Sequence, residues 1–308
     1  MKNIKHFLIA PTLLFFITFS LLPLLFALGL SLTNFSLGGH AKWVGLRNYI
    51  WLFKDPIFTG SFKNTVLYTL IGVTFQYWLG LILAVFVSSF KKRRLIKLMI
   101  LLPFMLPPLV IGFTWRTLLD SRFGPVNALL KIFGINAINW ITNPKLAFFS
   151  ILVVDTWQWT PFMFLILFAG LRMLPKEPFE AAHVDGASAW HSFWDMTFPM
   201  LLPISIGAIV LRSIEAFKIF DIVFFITGGG PGNATSSLTL NGYFTALRSG
   251  NMGYGAAMSV LMLLTVAITA VVLLMALRGF LAKPKRQGEI ALTAYSTESQ
   301  ASEGTNLG

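Results

Sequence analysis

The chain has 308 residues, 56% of them hydrophobic and 15% aromatic, with a mean hydropathy of +0.73 and a formal charge of +12. A composition this apolar excludes an ordinary soluble domain and points to a protein of the bilayer. The sequence has no cysteine, which excludes disulfide scaffolds, thiolate metal sites and cysteine nucleophiles, and its basic residues flank apolar runs instead of lining a polar face, which argues against nucleic acid as the reason for the charge.

The apolar runs, in chain order, are Phe7 to Leu32, Thr65 to Phe90, Leu95 to Leu119, Leu146 to Leu174, Leu201 to Ile226 and Gly255 to Leu281. Each exceeds the roughly 20 residues that cross the hydrocarbon core, so the sequence predicts an all-α integral membrane fold with six transmembrane helices. Lys2 and Lys5 precede the first run, but it is longer than a signal-peptide h-region and no A-x-A site follows, so it is expected to remain in the mature chain. On a six-span arrangement Lys2, Lys5, the cluster Lys91, Lys92, Arg93, Arg94 and Lys97, then Arg172, Lys176, Arg278, Lys283, Lys285 and Arg286 share one side. The other side carries Lys42, Arg47, Lys54, Lys63, Arg122, Lys131, Lys145 and Arg248. The orientation therefore rests on the 91–97 cluster, which places both termini in the cytoplasm. No internal repeat is evident, which weighs against a carrier built from inverted halves.

Asp155, Trp157, Gln158 and Trp159 group within the fourth run, where aromatic faces beside hydrogen-bonding groups suit a sugar. Interfacial anchoring of the tryptophans is the alternative. Pro175 and Pro178 end that helix, and Pro178 can open a short new one, since a first-turn residue needs no N–H partner. Glu180 then falls in the first turn, Ala181 and Ala182 expose little bulk, and Gly186 permits a sharp turn. Trp190, Phe193, Trp194 and Thr197 recur at i, i+3, i+4 and i+7, and Pro199 is expected to discourage the helix from continuing. The product is an L-shaped elbow on the cytoplasmic side.

In the fifth run Arg212, Glu215, Lys218 and Asp221 alternate in sign at three-residue steps, so each acid can meet a base on the same helix. The ladder either lines a path or subunit seam through the membrane or only fixes helix packing. Thr227-Gly228-Gly229-Gly230-Pro231-Gly232 lacks the Lys-Ser/Thr of a nucleotide-binding loop and follows a helix, not a strand; a turn on the far side of the membrane is expected. His6, His40, His183 and His191 show no metal-ligand clustering, and no catalytic constellation is expected.

Glu180, Ala181, Ala182, Gly186 and Pro199 together resemble the EAA loop of binding-protein-dependent ABC importer permeases: Glu-Ala-Ala, three residues, Gly, nine residues, Ile, one residue, Leu-Pro. Met196 and Phe198 replace the family's Ile and Leu with other apolar groups. Phe62, Asn64, Thr65, Tyr68, Phe123-Gly124, Asn127, Trp157, Trp159, Pro161, Phe162, Ala169-Gly170-Leu171 and Pro175 extend the resemblance to carbohydrate permeases. Phe220-Asp221, the glycine segment, Tyr243 and Phe244 resemble the branch of the larger maltose-importer membrane subunit and the glycerol-phosphate importer permease.

The resemblance implies a type I ABC importer permease fold whose cytoplasmic coupling elbow lies between helices 4 and 5. Glu180, Ala181, Ala182, Asp185, Gly186 and Pro199 would dock an ATPase; Asp155, Trp157, Trp159, Arg212, Glu215, Lys218 and Asp221 would line the substrate path or subunit seam; Gly228, Gly229, Gly230 and Pro231 would meet a solute-binding protein. The implied partners are a second permease, two ATPase subunits holding ATP-Mg, an extracytoplasmic solute-binding protein and a carbohydrate, with no cofactor on this chain. The implied location is the bacterial cytoplasmic (inner) membrane. The expected units are 1–60, the first helix and a periplasmic loop; 61–282, the importer core; and 283–308, a polar disordered tail. From the residues alone, a stand-alone channel or an ion-coupled carrier using the membrane charges is the rival.

Overall fold

The computed structural model describes residues 11–90 and 94–281, with side chains as far as residue 275. The expected tail 283–308, Lys2, Lys5, Lys91, Lys92, Arg93 and the start of the first run lie outside the described residues. In chain order the helices are α1 (Pro11–Ser31), α2 (Arg47–Leu52), α3 (Pro56–Ser88), α4 (Arg94–Met105), α5 (Pro108–Leu118) and α6 (Pro125–Ile132). They continue as α7 (Pro144–Met173), α8 (Glu177–Val184), α9 (Ala189–Phe217), α10 (Asp221–Ile226), α11 (Leu238–Tyr243) and α12 (Met252–Leu281). No strand occurs among the described residues; Thr33 and Trp43 form an isolated bridge.

Among the described residues five helices, α1, α3, α7, α9 and α12, are long and apolar enough to span a bilayer singly. The expected third span departs from a single helix. It is broken into α4 and α5, bent by 92° at Leu106 and Pro107. Pro107 is extended (φ −59, ψ 137) and Pro108 opens α5, so two consecutive prolines remove the N–H groups that would have carried the helix through. The expected fifth span is also divided. α9 stops at Phe217, three residues intervene, and α10 begins at Asp221. The carbonyl of Ile219, freed at that break, accepts a hydrogen bond from Ser237 Oγ at 2.7 Å, which meets the requirement that no buried backbone group be left open.

The core is organised inside out. On α3 the buried positions Ser61, Thr65, Tyr68, Gly72, Gln76, Gly80, Ala84 and Val87 recur at helical spacing, while Phe75, Leu79, Ile82 and Phe86 stay exposed. Lipid is as apolar as leucine, so small and polar residues go inward and large apolar ones outward. Thr65 and Thr69 return their hydroxyls to carbonyls four residues back. Gly80 lets α3 lie against α7: a Cβ there would sit 2.7 Å from Met163 Cβ and 2.9 Å from the Phe164 nitrogen. Tyr77, Leu81, Phe164, Leu167 and Leu201 fill one half of this core, and Tyr68, Ile111, Ile151, Val223 and Leu240 fill the other half. α1 packs on α12, meets Asn48 and Tyr49 of α2 through Ser31 at its end, and is exposed over most of its length.

Candidate functional site

Four features carry the residues singled out from sequence, and the elbow is the most regular of them. α7 ends because Leu174 is extended (ψ 136) ahead of Pro175. α8 then begins with Pro178 in its first turn and Glu177 and Glu180 near its positive end. Gly186, at φ +79, closes it in a Schellman arrangement, with Ala187 N–H donating to Ala182 O and Gly186 N–H to His183 O. Ser188 caps α9 by accepting from His191 N–H. Glu180, Ala181, Asp185 and Gly186 are exposed, Ala182 is half-buried, and Val184 and Trp190 leave 86% and 68% of their surface open.

Pro199 does not stop the helix as expected. α9 runs continuously from Ala189 to Phe217, passing through a wider π segment at Ser192–Thr197 just before the proline. The i→i+5 turn relieves the clash that a proline ring makes with the carbonyl four residues back. The elbow is thereby rooted in the bundle. Trp194 packs on Phe198, the Phe198 ring stacks parallel on Trp78 of α3, and Gly170 of α7 lies against Leu201 and Ile204. Trp190 touches Trp194 but stays on the surface, so the sequence stripe is only partly an inward face.

The membrane charges do not form the expected ladder. Arg212 leaves its own helix and donates from Nη2 to Asp155 Oδ2 of α7 at 2.7 Å, and from Nε to Gln76 Oε1 of α3 at 2.7 Å. Gln76 Nε2 closes the ring by donating to Asp155 Oδ2 at 2.8 Å. All three side chains are buried, and the guanidinium lies 4.3 Å from the centre of the Trp159 ring. Glu215 and Lys218 do pair on one helix at 2.7 Å, both about half exposed. Asp221 makes no ion pair among the described residues; it is exposed in the first turn of α10.

A small cavity of about 100 Å³ gathers Asp155, Trp159, Arg212, Glu215, Lys218 and Asp221, with Gln158 beside them. Gln158 Oε1 is buried there without a hydrogen-bond partner, leaving one acceptor free. Trp157 is not in this group. It projects from the other side of α7 and meets Trp115 edge-on at 5.6 Å. Two residues along a helix amount to about 200° of rotation, which is why the sequence pair separates.

The glycine segment is a packed cap, not a free turn. Gly228, Gly229 and Gly232 take positive φ, and Gly229 is buried against Leu240 and Ser236. Thr235 Oγ1 donates to Gly230 O at 2.7 Å. α3 holds the far limb: Asn64 Nδ2 donates to the carbonyls of Ala234 and Ser236, Tyr68 OH donates to Thr235 O, and Thr65 Oγ1 accepts from Leu238 N–H. Gly228 and Gly232 are exposed; Gly230 and Pro231 are half-buried.

Residues 76–283 match the family described as binding-protein-dependent transport system inner membrane component. The chain belongs to that family. The permease is 35% identical to the trehalose/maltose transport system permease protein MalF of Thermococcus litoralis over 261 residues, covering 84% of this chain and 88% of that one. It is 37% identical to the sulfoquinovosyl glycerol transport system permease protein SmoG of Agrobacterium fabrum, with 79% of each chain covered. A bacterial alginate ABC transporter, solved with an alginate pentasaccharide-bound periplasmic protein, contains a chain of the same fold: TM-score 0.78, 17% identity, 88% of this chain and 92% of that one. The permease is therefore a multi-pass membrane protein with the type I importer fold expected from its sequence.

One site residue of the permease, Gln76, escaped the sequence reading. Gln76 is a polar residue amid an apolar run, and that was the available signal; its partners on α7 and α9 are 79 and 136 residues away. Asn64 entered only through the family resemblance, although its amide ties two distant carbonyls.

Proposed function

We propose that this permease is one membrane subunit of an ATP-driven sugar importer and forms the translocation path with a second permease. The elbow is the observation that carries the reading. It leaves Glu180, Ala181, Asp185 and Gly186 open beside exposed Val184 and Trp190, and its second limb, α9, runs without interruption from Ala189 into the core. An apolar, small-residue surface outside the spans is what a partner ATPase would grip, and a helix that runs unbroken into the core would transmit its displacement as a rigid body. ATP-Mg belongs to that partner, and this chain holds no cofactor. Residues 61–282 act as the importer core, with the termini and the elbow in the cytoplasm of a bacterial inner membrane.

Sugar as the cargo is supported by the names of the relatives and by the cavity at Gln158, where an unpartnered acceptor could take a hydroxyl proton beside the Trp159 ring. Asp155 and Arg212 compensate each other in the wall, while Glu215, Lys218 and Asp221 face the opening. The outer loop at Gly228 to Pro231 is the docking place for a solute-binding protein, in keeping with the periplasmic protein in the alginate transporter. An ion-coupled carrier is not favoured, because the chain belongs to a binding-protein-dependent family and its buried Asp155 and Arg212 compensate each other.

Affinity capture of the tagged, detergent-solubilised chain tests the reading. An ATPase and a second permease should be recovered with the native chain, and the ATPase should be lost from a Glu180→Lys variant that still inserts. Recovery of the ATPase undiminished by that change would remove the elbow from the interface.

A further inference from the structure

The short helix α2 and the residues beside it are built inside out. Asn48 is buried and donates from Nδ2 to the carbonyls of Ser31 and Thr33, each at 2.8 Å, and the Tyr49 hydroxyl lies 2.6 Å from Ser31 Oγ. Leu52 is buried with Phe58 of α3 and with Ala257 and Met258 of α12. The side chains that face away are the large apolar ones: Trp43, Leu46, Ile50, Trp51 and Phe53 are each more than half exposed. A buried amide with tryptophans outside it reverses the order expected in water, and it repeats the order of the lipid-facing helix α3.

The depth of α2 is set by its bonds. Ser31 is the last residue of α1, so Asn48 and Tyr49 hold α2 at the end of that span. Leu46 lines a cavity of about 270 Å³ together with Leu28 of α1 and Val260 and Leu264 of α12. Val260 and Leu264 lie about 12 and 18 Å along α12 from Met252, at 1.5 Å per residue. The 30 residues of α12 span about 45 Å against a hydrocarbon core of about 30 Å, so at most about 15 Å of the helix protrudes on this side. Leu264 is therefore at hydrocarbon depth, and the cavity that Leu46 shares with it reaches that level. Leu25 of α1 and Leu264 of α12 are half exposed, so the apolar face of α2 continues the lipid-facing surface of the two spans.

Cations surround this face. The Arg47 guanidinium lies 4.4 Å from the centre of the Trp51 ring, and Lys42 and Lys54 flank α2. All three are exposed, and none forms an ion pair among the described residues. Tryptophan beside Arg and Lys is the composition of the head-group region, where the ring sits at the boundary and the cation reaches toward phosphate.

We propose that α2, with Trp43 and Phe53, is an interfacial anchor resting in the lipid head groups on the face where α1 ends and α3 begins, with Lys42, Arg47 and Lys54 toward the phosphates. A helix with an apolar outer face and cations at its edge lies in the plane of the interface. A soluble binding protein does not fit as the occupant, because it would have to reach hydrocarbon depth beside Leu264. A second permease fits the rim poorly, because lysine is depleted from subunit contacts. The anchor is independent of the cargo and of the ATPase proposed above.

The test is spin-label accessibility at Ile50→Cys, and separately at Leu46→Cys, in the complete transporter held in nanodiscs of phosphatidylcholine and phosphatidylglycerol. The chain has no native cysteine, and the unsubstituted transporter gives the background from its partners. Both labels should be relaxed more by oxygen than by a water-soluble nickel chelate, and adding the solute-binding protein should leave that ratio unchanged. Trp43→Ser with Trp51→Ser should shift both labels toward the chelate in a transporter that still assembles. Stronger relaxation by the chelate would place α2 in water and overturn the proposal. Shielding from both reagents, with or without the binding protein, would overturn it in favour of a protein partner, and a ratio unmoved by the tryptophan changes would overturn the anchoring.

Discussion

Asp155, Arg212 and Gln76 form a closed ring in which each side chain has two partners, and one turn of α7 separates the carboxylate from the ring of Trp159 that covers the guanidinium. Breaking such a buried pair leaves an uncompensated charge, whereas replacing both members with apolar groups removes the debt along with the attraction. Asp155→Leu alone should therefore destabilise the protein by about 3–5 kcal/mol. The double change Asp155→Leu with Arg212→Met should recover most of that loss, as read by thermal unfolding of the purified complex. A double variant no more stable than the single would show that the pair is more than a packing device. The charges were legible in the sequence, but their pairing was not. Three-residue spacing predicted Arg212–Glu215 contact, whereas the structure sends Arg212 across to α7, where a carboxylate and an amide together satisfy it more fully than a half-exposed glutamate could.

Close helix approach is set by glycines on α3 that no periodicity argument separates. Gly60 and Gly80 lie on the same helix, yet an added Cβ at Gly60 meets nothing within 4 Å, and at Gly80 it meets Met163 Cβ at 2.7 Å. Gly80→Ala should force α3 and α7 apart and cost about 1–3 kcal/mol. Gly60→Ala should be neutral or stabilising, by up to about 1 kcal/mol from helix propensity. Equal effects on the melting temperature would contradict the packing described for α3. The long spans α3, α7, α9 and α12 were legible because apolar length alone marks them. The breaks inside the third and fifth runs were not, although Pro107-Pro108 carried a signal for the first. At the second, the sequence Lys218-Ile219-Phe220 carries no breaker, and the carbonyl freed at the break is met by a tertiary bond from Ser237. Pro199 misled in the other direction, since the π segment that lets the helix pass through it leaves no mark in the residue pattern.

The arrangement of the whole chain turns on which face of the membrane the elbow meets. Because the native sequence has no cysteine, single substitutions report this cleanly. Ser89→Cys, exposed at the end of α3, and Asn136→Cys, in the loop before α7, should label from opposite sides with a membrane-impermeant maleimide; Ser89→Cys should be reached from the cytoplasm. Labelling of both from one side would contradict the span count, and outward labelling of Ser89→Cys would invert the topology. The family was legible because the elbow is built from contiguous residues whose effects are local: a proline start, an acid in the first turn, small residues and a glycine stop. The cavity was only partly legible because its members come from α5, α7, α9 and α10, and helix rotation placed Trp159 inside it and Trp157 on the far side. Proteoliposomes holding the purified complex, with ATP sealed on the elbow side and solute-binding protein with radiolabelled sugar on the other, test the importer reading. Uptake should require both ATP and the binding protein and be lost in Glu180→Lys; uptake that continues without ATP and follows an imposed ion gradient would contradict it.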